Sequence, residues 1–182
     1  MTEASKDSQH PIEDDMVFEV FIQAPMESVW NELTKTHEVQ KAMFNAQMHT
    51  TELGVGAPIR MRSPNGKYTA VAGEVLEFEK PLRFSHTFRF TQYDDPDCEV
   101  LYELEQQDDG TRFRLTVRRA PTGTKTAKQM KQGGTMICNT LKAVLETGSP
   151  TFGIRLLYGL FGLLAPFTPK RCASENWPLT TN

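Results

Sequence analysis

The chain has 182 residues, 38% of them apolar and 24% charged, with a net charge of -3. That length fits one domain with a full core and a short surplus for extensions. The acidic balance argues against nucleic acid, which requires a basic footprint to displace counterions. Three cysteines, Cys98, Cys138 and Cys172, stand far apart with no C-x-x-C pair, a poor disulfide framework and a poor zinc site that suits a reducing cytoplasm.

Residues 1–15 are polar, acidic and aperiodic, and are expected to form a disordered tail. They lack the basic start and apolar centre of a signal peptide, which again fits the cytoplasm. MVFEVFIQ (16–23) is rich in β-branched and aromatic residues and reads as a strand. Pro25 then opens a short helix with Val29, Trp30 and Leu33 on one face. HEVQKAMF (37–44) reads as a second short amphipathic helix.

From residue 46 the pattern turns to period two. A hairpin is expected over AQMHTTEL and PIRMRS, and Pro64-Asn65-Gly66 marks the next turn. YTAVAGEVLEFE, LRFSHTFRF, CEVLYELEQ and TRFRLTVRRA continue a meander of antiparallel strands, with Gly73 suggesting a bulge or bend. Residues 125–146 return to helical spacing, with Met130, Ile137, Leu141, Val144 and Leu145 near one face and Gly148 and Pro150 as the stop.

Three segments carry a family likeness: I-Q-A-P-M-E-S-V-W-N-E-L-T at 22–34, G-x-V-L-E-F-x-x-P-L-R-F at 73–84 and L-K-A-V-L-E-T-G at 141–148. With this element order, the chain resembles the helix-grip superfamily (SRPBCC, START-like or Bet v 1-like), in the branch related to activators of the Hsp90 ATPase. The resemblance implies an α+β fold in which a curved antiparallel sheet wraps around the long C-terminal helix and leaves a cavity between them. It implies a ligand-binding domain over 16–148; residues 149–182 lie beyond the resemblance and read as an apolar C-terminal extension that packs on the domain or on a partner subunit. Members of this branch often carry a Gly-Trp pair at the start of the long helix and a Leu four residues after the Trp. Here Gly133-Gly134 and Cys138 stand at those positions. Either the cavity is wider for want of the indole, or another side chain fills the gap.

Candidate site residues follow from the inward registers. In LRFSHTFRF, Leu82, Phe84, His86, Phe88 and Phe90 share one face. Tyr102 falls on the inward register of the next strand and Phe113 on that of the last. With Met61 on the hairpin and Gly134, Ile137, Cys138 and Leu141 on the long helix, these residues (Leu82 and Phe90 apart) are the expected ligand-binding set. His86 and Tyr102 are the only acid–base candidates, and a hydrogen-bonded core histidine and a satisfied core tyrosine are the more common outcomes for such residues. No nucleophile–base signature, phosphate-binding loop or dinucleotide fingerprint occurs. His10, His37, His49 and His86 lack metal spacing, so neither metal nor cofactor is expected and enzyme status is unsupported.

The expected function is therefore binding of a small hydrophobic molecule, lipid-like or aromatic, in the cavity between sheet and helix. The resemblance also allows a cyclase- or hydrolase-type enzyme, or an Hsp90-cochaperone-like interaction protein. Beyond the core, Leu156–Pro169 is an uncharged, mostly apolar run. As a helix it spans about 21 Å, short of the roughly 30 Å hydrocarbon layer of a bilayer. Its apolar residues surround the helix, so something must cover them. A lid on the cavity, a homodimer contact through residues 152–169, and a peripheral membrane contact are the three coverings considered.

Overall fold

The computed structural model describes residues 11, 12 and 14–179; most of the expected tail, with His10, lies outside that range. Alternating side chains produce eight strands: β1 (Met16–Ile22), β2 (Val39–Gln40), β3 (Ala46–His49), β4 (Pro58–Arg62), β5 (Thr69–Glu79), β6 (Arg83–Phe90), β7 (Cys98–Gln107) and β8 (Gly110–Arg118). They form one antiparallel sheet in the order β1-β8-β7-β6-β5-β4-β3-β2. Every neighbour after β2 is therefore a hairpin partner, and β1 closes the far side against β8. Leu82 lies just before β6 and is exposed instead of pointing inward.

Helix α1 (Met26–Thr34) buries Val29, Trp30 and Leu33, the face its spacing predicts. Helix α2 (Lys125–Thr147) starts at Thr124, whose side-chain oxygen accepts from the Ala127 amide at 3.1 Å, and ends at Gly148 in the left-handed conformation. It packs on β1 and β8, while α1 lies against α2, β7 and β8. The core gathers between them around Ile22, Trp30, Phe84, Phe113 and Leu141.

The second short helix is not formed. His37, Phe44 and Asn45 take positive φ values of 59°, 53° and 60°, which interrupts any helical run. The intervening residues pair as β2 with β3, and the Gln40 amide donates to the Leu33 and Lys35 carbonyls at 3.1 and 2.9 Å. Tertiary pairing has overridden the amphipathic pattern.

The outward face of β7 and β8 aligns Glu99 with Arg118, Glu103 with Arg114 and Glu105 with Arg112, the register expected of cross-strand charge pairs. Arg118 and Arg112 each reach their glutamate at 3.2 Å, whereas Arg114 turns to Glu19 on β1 at 2.6 Å.

After α2 the chain turns sharply into α3 (Phe152–Leu164), followed by short 3-10 turns at Ala165–Phe167, Lys170–Cys172 and Ser174–Asn176. No single described helix is long and apolar enough to cross a membrane; α2 and the segment through Phe167 reach that length and composition only together, across a bend of 113°.

Candidate ligand cavity

Strands β2–β8, the first half of α2 and the inner side of α3 line a partly open cavity of about 860 Å³. Its walls are mainly apolar. Met61, Phe88, Tyr102, Met130, Gly134 and Phe161 are among the lining residues, and none of the lining residues is Asp, Glu, Lys or Arg. In a chain that is 24% charged, that segregation removes every formal charge from the cavity wall at neutral pH, provided His86 is uncharged.

His86 meets that condition. It is buried, and its Nδ1 lies 2.8 Å from the Thr87 carbonyl oxygen. A carbonyl can only accept, so Nδ1 carries the proton and Nε2 presents a lone pair. Burial pushes the imidazole down from 6.5 to about 4, against the opposing pull of the Thr87 carbonyl. The close approach depends on Gly73: a Cβ there would sit 1.9 Å from the Thr87 carbonyl oxygen. Gly73 is thus not the bulge itself, which falls between Val75 and Glu77; it clears space for the carbonyl that fixes the histidine.

Tyr102 stands beside His86, with ring centroids 5.8 Å apart, and stacks on Phe84 and Phe113 at 5.7 and 6.0 Å. Burial holds its hydroxyl protonated, well above the usual phenol range. Among the described residues neither the Tyr102 hydroxyl nor His86 Nε2 has a hydrogen-bond partner, and neither is sealed from the cavity. A third polar group is Gln40, fully buried on the cavity wall, whose Oε1 has no partner. Cys98 and Cys138 are pushed up to about 12 by burial, so both remain thiols and neither is an activated nucleophile. Among the described residues no cluster of His, Cys, Asp or Glu could hold a metal ion.

Of the ten residues expected to bind ligand, Met61, His86, Phe88, Tyr102 and Gly134 line the cavity. Phe84, Phe113, Cys138 and Leu141 are packed in the core instead, and Ile137 packs against that core. The indole that the resemblance implies near the start of α2 is absent, and the two glycines there differ in what faces them. A Cβ on Gly134 would lie 2.3 Å from the Phe18 ring, so Phe18 of β1 fills the gap there. At Gly133 the nearest atom to such a Cβ is Phe44 Cζ at 3.6 Å, and that side stays open to the cavity.

Sequence reasoning missed Gln40, Met43 and Met48, because the segment that supplies Gln40 and Met43 reads as a helix, and it left α3 with three possible coverings. In the structure α3 lies along the cavity mouth with Tyr158, Phe161, Gly162 and Leu164 on the rim. The Tyr158 hydroxyl donates to the Lys41 carbonyl at 2.9 Å. Beyond α3 the chain is tied to the β4–β5 turn: the Ser174 amide donates to the Lys67 carbonyl at 2.9 Å, and the Ser174 and Thr69 hydroxyls lie 3.1 Å apart. The helix is therefore held across the opening by a tie at its middle and by the anchored segment that follows it. Its opposite side is bare, with Phe152, Leu156 and Leu163 from 66% to 78% exposed, and Phe167 of the turn that follows is 81% exposed.

Residues 23–146 match the protein family described as "Activator of Hsp90 ATPase homolog 1-like protein". Among solved structures the chain is similar to protein MLL2253 from Mesorhizobium loti, with 22% identity, a TM-score of 0.61 and coverage of 73% of this chain and 97% of that one. It is similar to the Aha1 dimer from Colwellia psychrerythraea, with 18% identity, a TM-score of 0.59 and coverage of 75% and 98%. The third, PFC0360w, an Hsp90 activator from Plasmodium falciparum, has 16% identity, a TM-score of 0.56 and coverage of 81% and 97%. At such identities the likeness carries the fold alone, and no curated protein matches. The family match runs from the end of β1 through α2, and on that ground the chain belongs to the Activator of Hsp90 ATPase homolog 1-like family.

Proposed function

We propose that the protein binds a small hydrophobic molecule, lipid-like or aromatic, in the cavity between the sheet and α2. The observation that carries this reading is the cavity of about 860 Å³ with its mainly apolar wall. Sites for small ligands are typically clefts of roughly 300–1,000 Å³ with a few placed polar groups. The strapped α3 supports the same reading, since a helix across the mouth shields an apolar ligand from water. Native mass spectrometry of the freshly purified chain is the test. The expected result is one small molecule per chain, released on denaturation, or stoichiometric uptake of added pyrene by an empty protein. A chain that carries nothing and takes up no pyrene would contradict the proposal.

A second reading, a cyclase- or hydrolase-type reaction, is favoured by the adjacency of His86 and Tyr102 on one wall. An Hsp90-directed role has the family description in its support, and an unchanged chaperone ATPase rate on adding the protein would remove it. The bare outer side of α3 supports self-association through residues 152–169. Light scattering on the purified protein reads monomer or dimer directly, and co-sedimentation with vesicles would point to a lipid surface instead.

A further inference from the structure

We infer that the cavity selects an uncharged apolar molecule ending in a hydroxyl, which His86 and Tyr102 hold at the inner wall, and that it discriminates against carboxylates and phosphates. This inference rests on the ligand-binding reading above and specifies the chemistry of the occupant.

Two features of the wall carry it. The first is the pair of unpaired polar atoms. With its Nδ1 proton committed to the Thr87 carbonyl, His86 offers the cavity only an acceptor at Nε2. Tyr102, with no partner among the described residues, offers a donor that can also accept. The two rings are neighbours, 5.8 Å between centroids, on the paired strands β6 and β7. A ligand group that donates to one and accepts from the other satisfies both, and a hydroxyl does so with a single oxygen. A ketone or ether could use the tyrosine alone and would leave the histidine lone pair facing nothing. Buried polar atoms left without partners are costly, so the pair favours the group that satisfies both.

The second feature is the charge-free lining. A carboxylate or phosphate in this cavity would meet no Lys or Arg, because none lines it, and its negative oxygens would face the Nε2 lone pair. Burying an ion without a counter-charge is strongly unfavourable. A cationic ligand would likewise find no carboxylate. The aromatic run His86, Phe88 and Phe90, with ring centroids 6.3 and 4.7 Å apart, extends from the polar pair along the wall and provides flat apolar contact for the ligand's body.

Three probes of nearly equal size isolate the end group: pyrene, 1-hydroxypyrene and 1-pyrenecarboxylate, titrated at pH 7 into the full chain with fluorescence as the readout. The expected order is 1-hydroxypyrene tightest, by about tenfold over pyrene, a ratio within the range of one or two net hydrogen bonds, with the carboxylate weakest. In Tyr102→Phe and in His86→Phe the ratio between 1-hydroxypyrene and pyrene should collapse towards one. Melting curves identify any variant that has lost its fold; Tyr102→Phe removes one oxygen only and keeps the ring stack. Equal binding of pyrene and 1-hydroxypyrene by the natural chain would overturn the inference while leaving the cavity reading intact. Tighter binding of the carboxylate would overturn it too. Failure of all three probes would defeat the cavity reading itself.

Discussion

Phe84 and Phe88 lie on one strand, on one face, two alternations apart in the middle of LRFSHTFRF, yet they belong to different parts of the molecule. Phe84 is fully buried and meets Phe78 edge-on at 5.9 Å, which in turn meets Trp30 of α1 at 5.4 Å. Phe88 borders the cavity. The same division runs along α2, where Cys138 and Leu141 are packed and Met130, Gly133 and Met136 line open space. One end of the sheet–helix sandwich is plugged by α1. The other has no such plug, and its α2 residues include Gly133, which offers no side chain. His86 and Tyr102 stand at the border between the two, which is why they combine deep burial with unpaired polar atoms. Close packing is therefore not a property of the fold as a whole; it is imposed where a second layer of large side chains lies opposite.

That contrast can be broken most severely at the packed end. Phe113→Ala should cost about 3–5 kcal/mol, the usual range for emptying a buried aromatic site. Phe88→Ala, at a wall that already faces space, should cost about 1–2 kcal/mol because less packing is lost. Urea unfolding of both variants checks the ranking, and equal losses would mean that the two ends are packed alike.

The border gives a pH signature. An imidazole in the unfolded chain titrates near 6.5, whereas His86 in the folded protein titrates near 4. Between these values the unfolded state holds the extra proton, so this residue's contribution is full above pH 6.5 and is lost as pH falls towards 4. Between pH 7 and pH 5 that loss should be about 2 kcal/mol. His86→Phe should lack it, while titrations elsewhere remain common to both proteins. Unfolding curves at the two pH values measure the difference, and an identical pH dependence in both would place His86 in water.

The two adjacent glycines sharpen the comparison at smaller scale. Gly134→Ala drives a methyl into the Phe18 ring and should lose about 1–2 kcal/mol even after the gain in helix propensity. Gly133→Ala meets only an ordinary contact with Phe44 and should gain up to about 1 kcal/mol. Opposite signs in thermal melts at neighbouring positions are the expected result.

How much of this was legible in the sequence depends on the range of the cause. Strand alternation and helix caps are local, and β5 to β8 and α2 fall where their patterns and stop signals put them. The division between packed and hollow is not local: Phe84 and Phe88 present the same alternation, and the layer of Phe78 and Trp30 beside one of them separates their fates. Phe113, Cys138 and Leu141 were expected at the cavity for this reason, since inward register does not say what stands opposite. The second helix failed for a related cause. HEVQKAMF has the apolar spacing of a helix, but pairing with β3 and three left-handed residues decide its shape. Phe18 was invisible as the substitute for the family indole, because it comes from a strand more than a hundred residues earlier in the chain.

The methionines give the most direct test of a hollow end that accepts apolar ligands. Met43, Met48, Met61, Met130 and Met136 line the cavity, whereas Met16 and Met26 do not. NMR spectra of protein carrying 13C-labelled methionine methyl groups, recorded during a pyrene titration, should show shifts at Met61, Met130 and Met136 with Met16 and Met26 unmoved. Saturating pyrene that leaves the cavity methyls in place, or that moves Met16 and Met26 instead, would contradict the account.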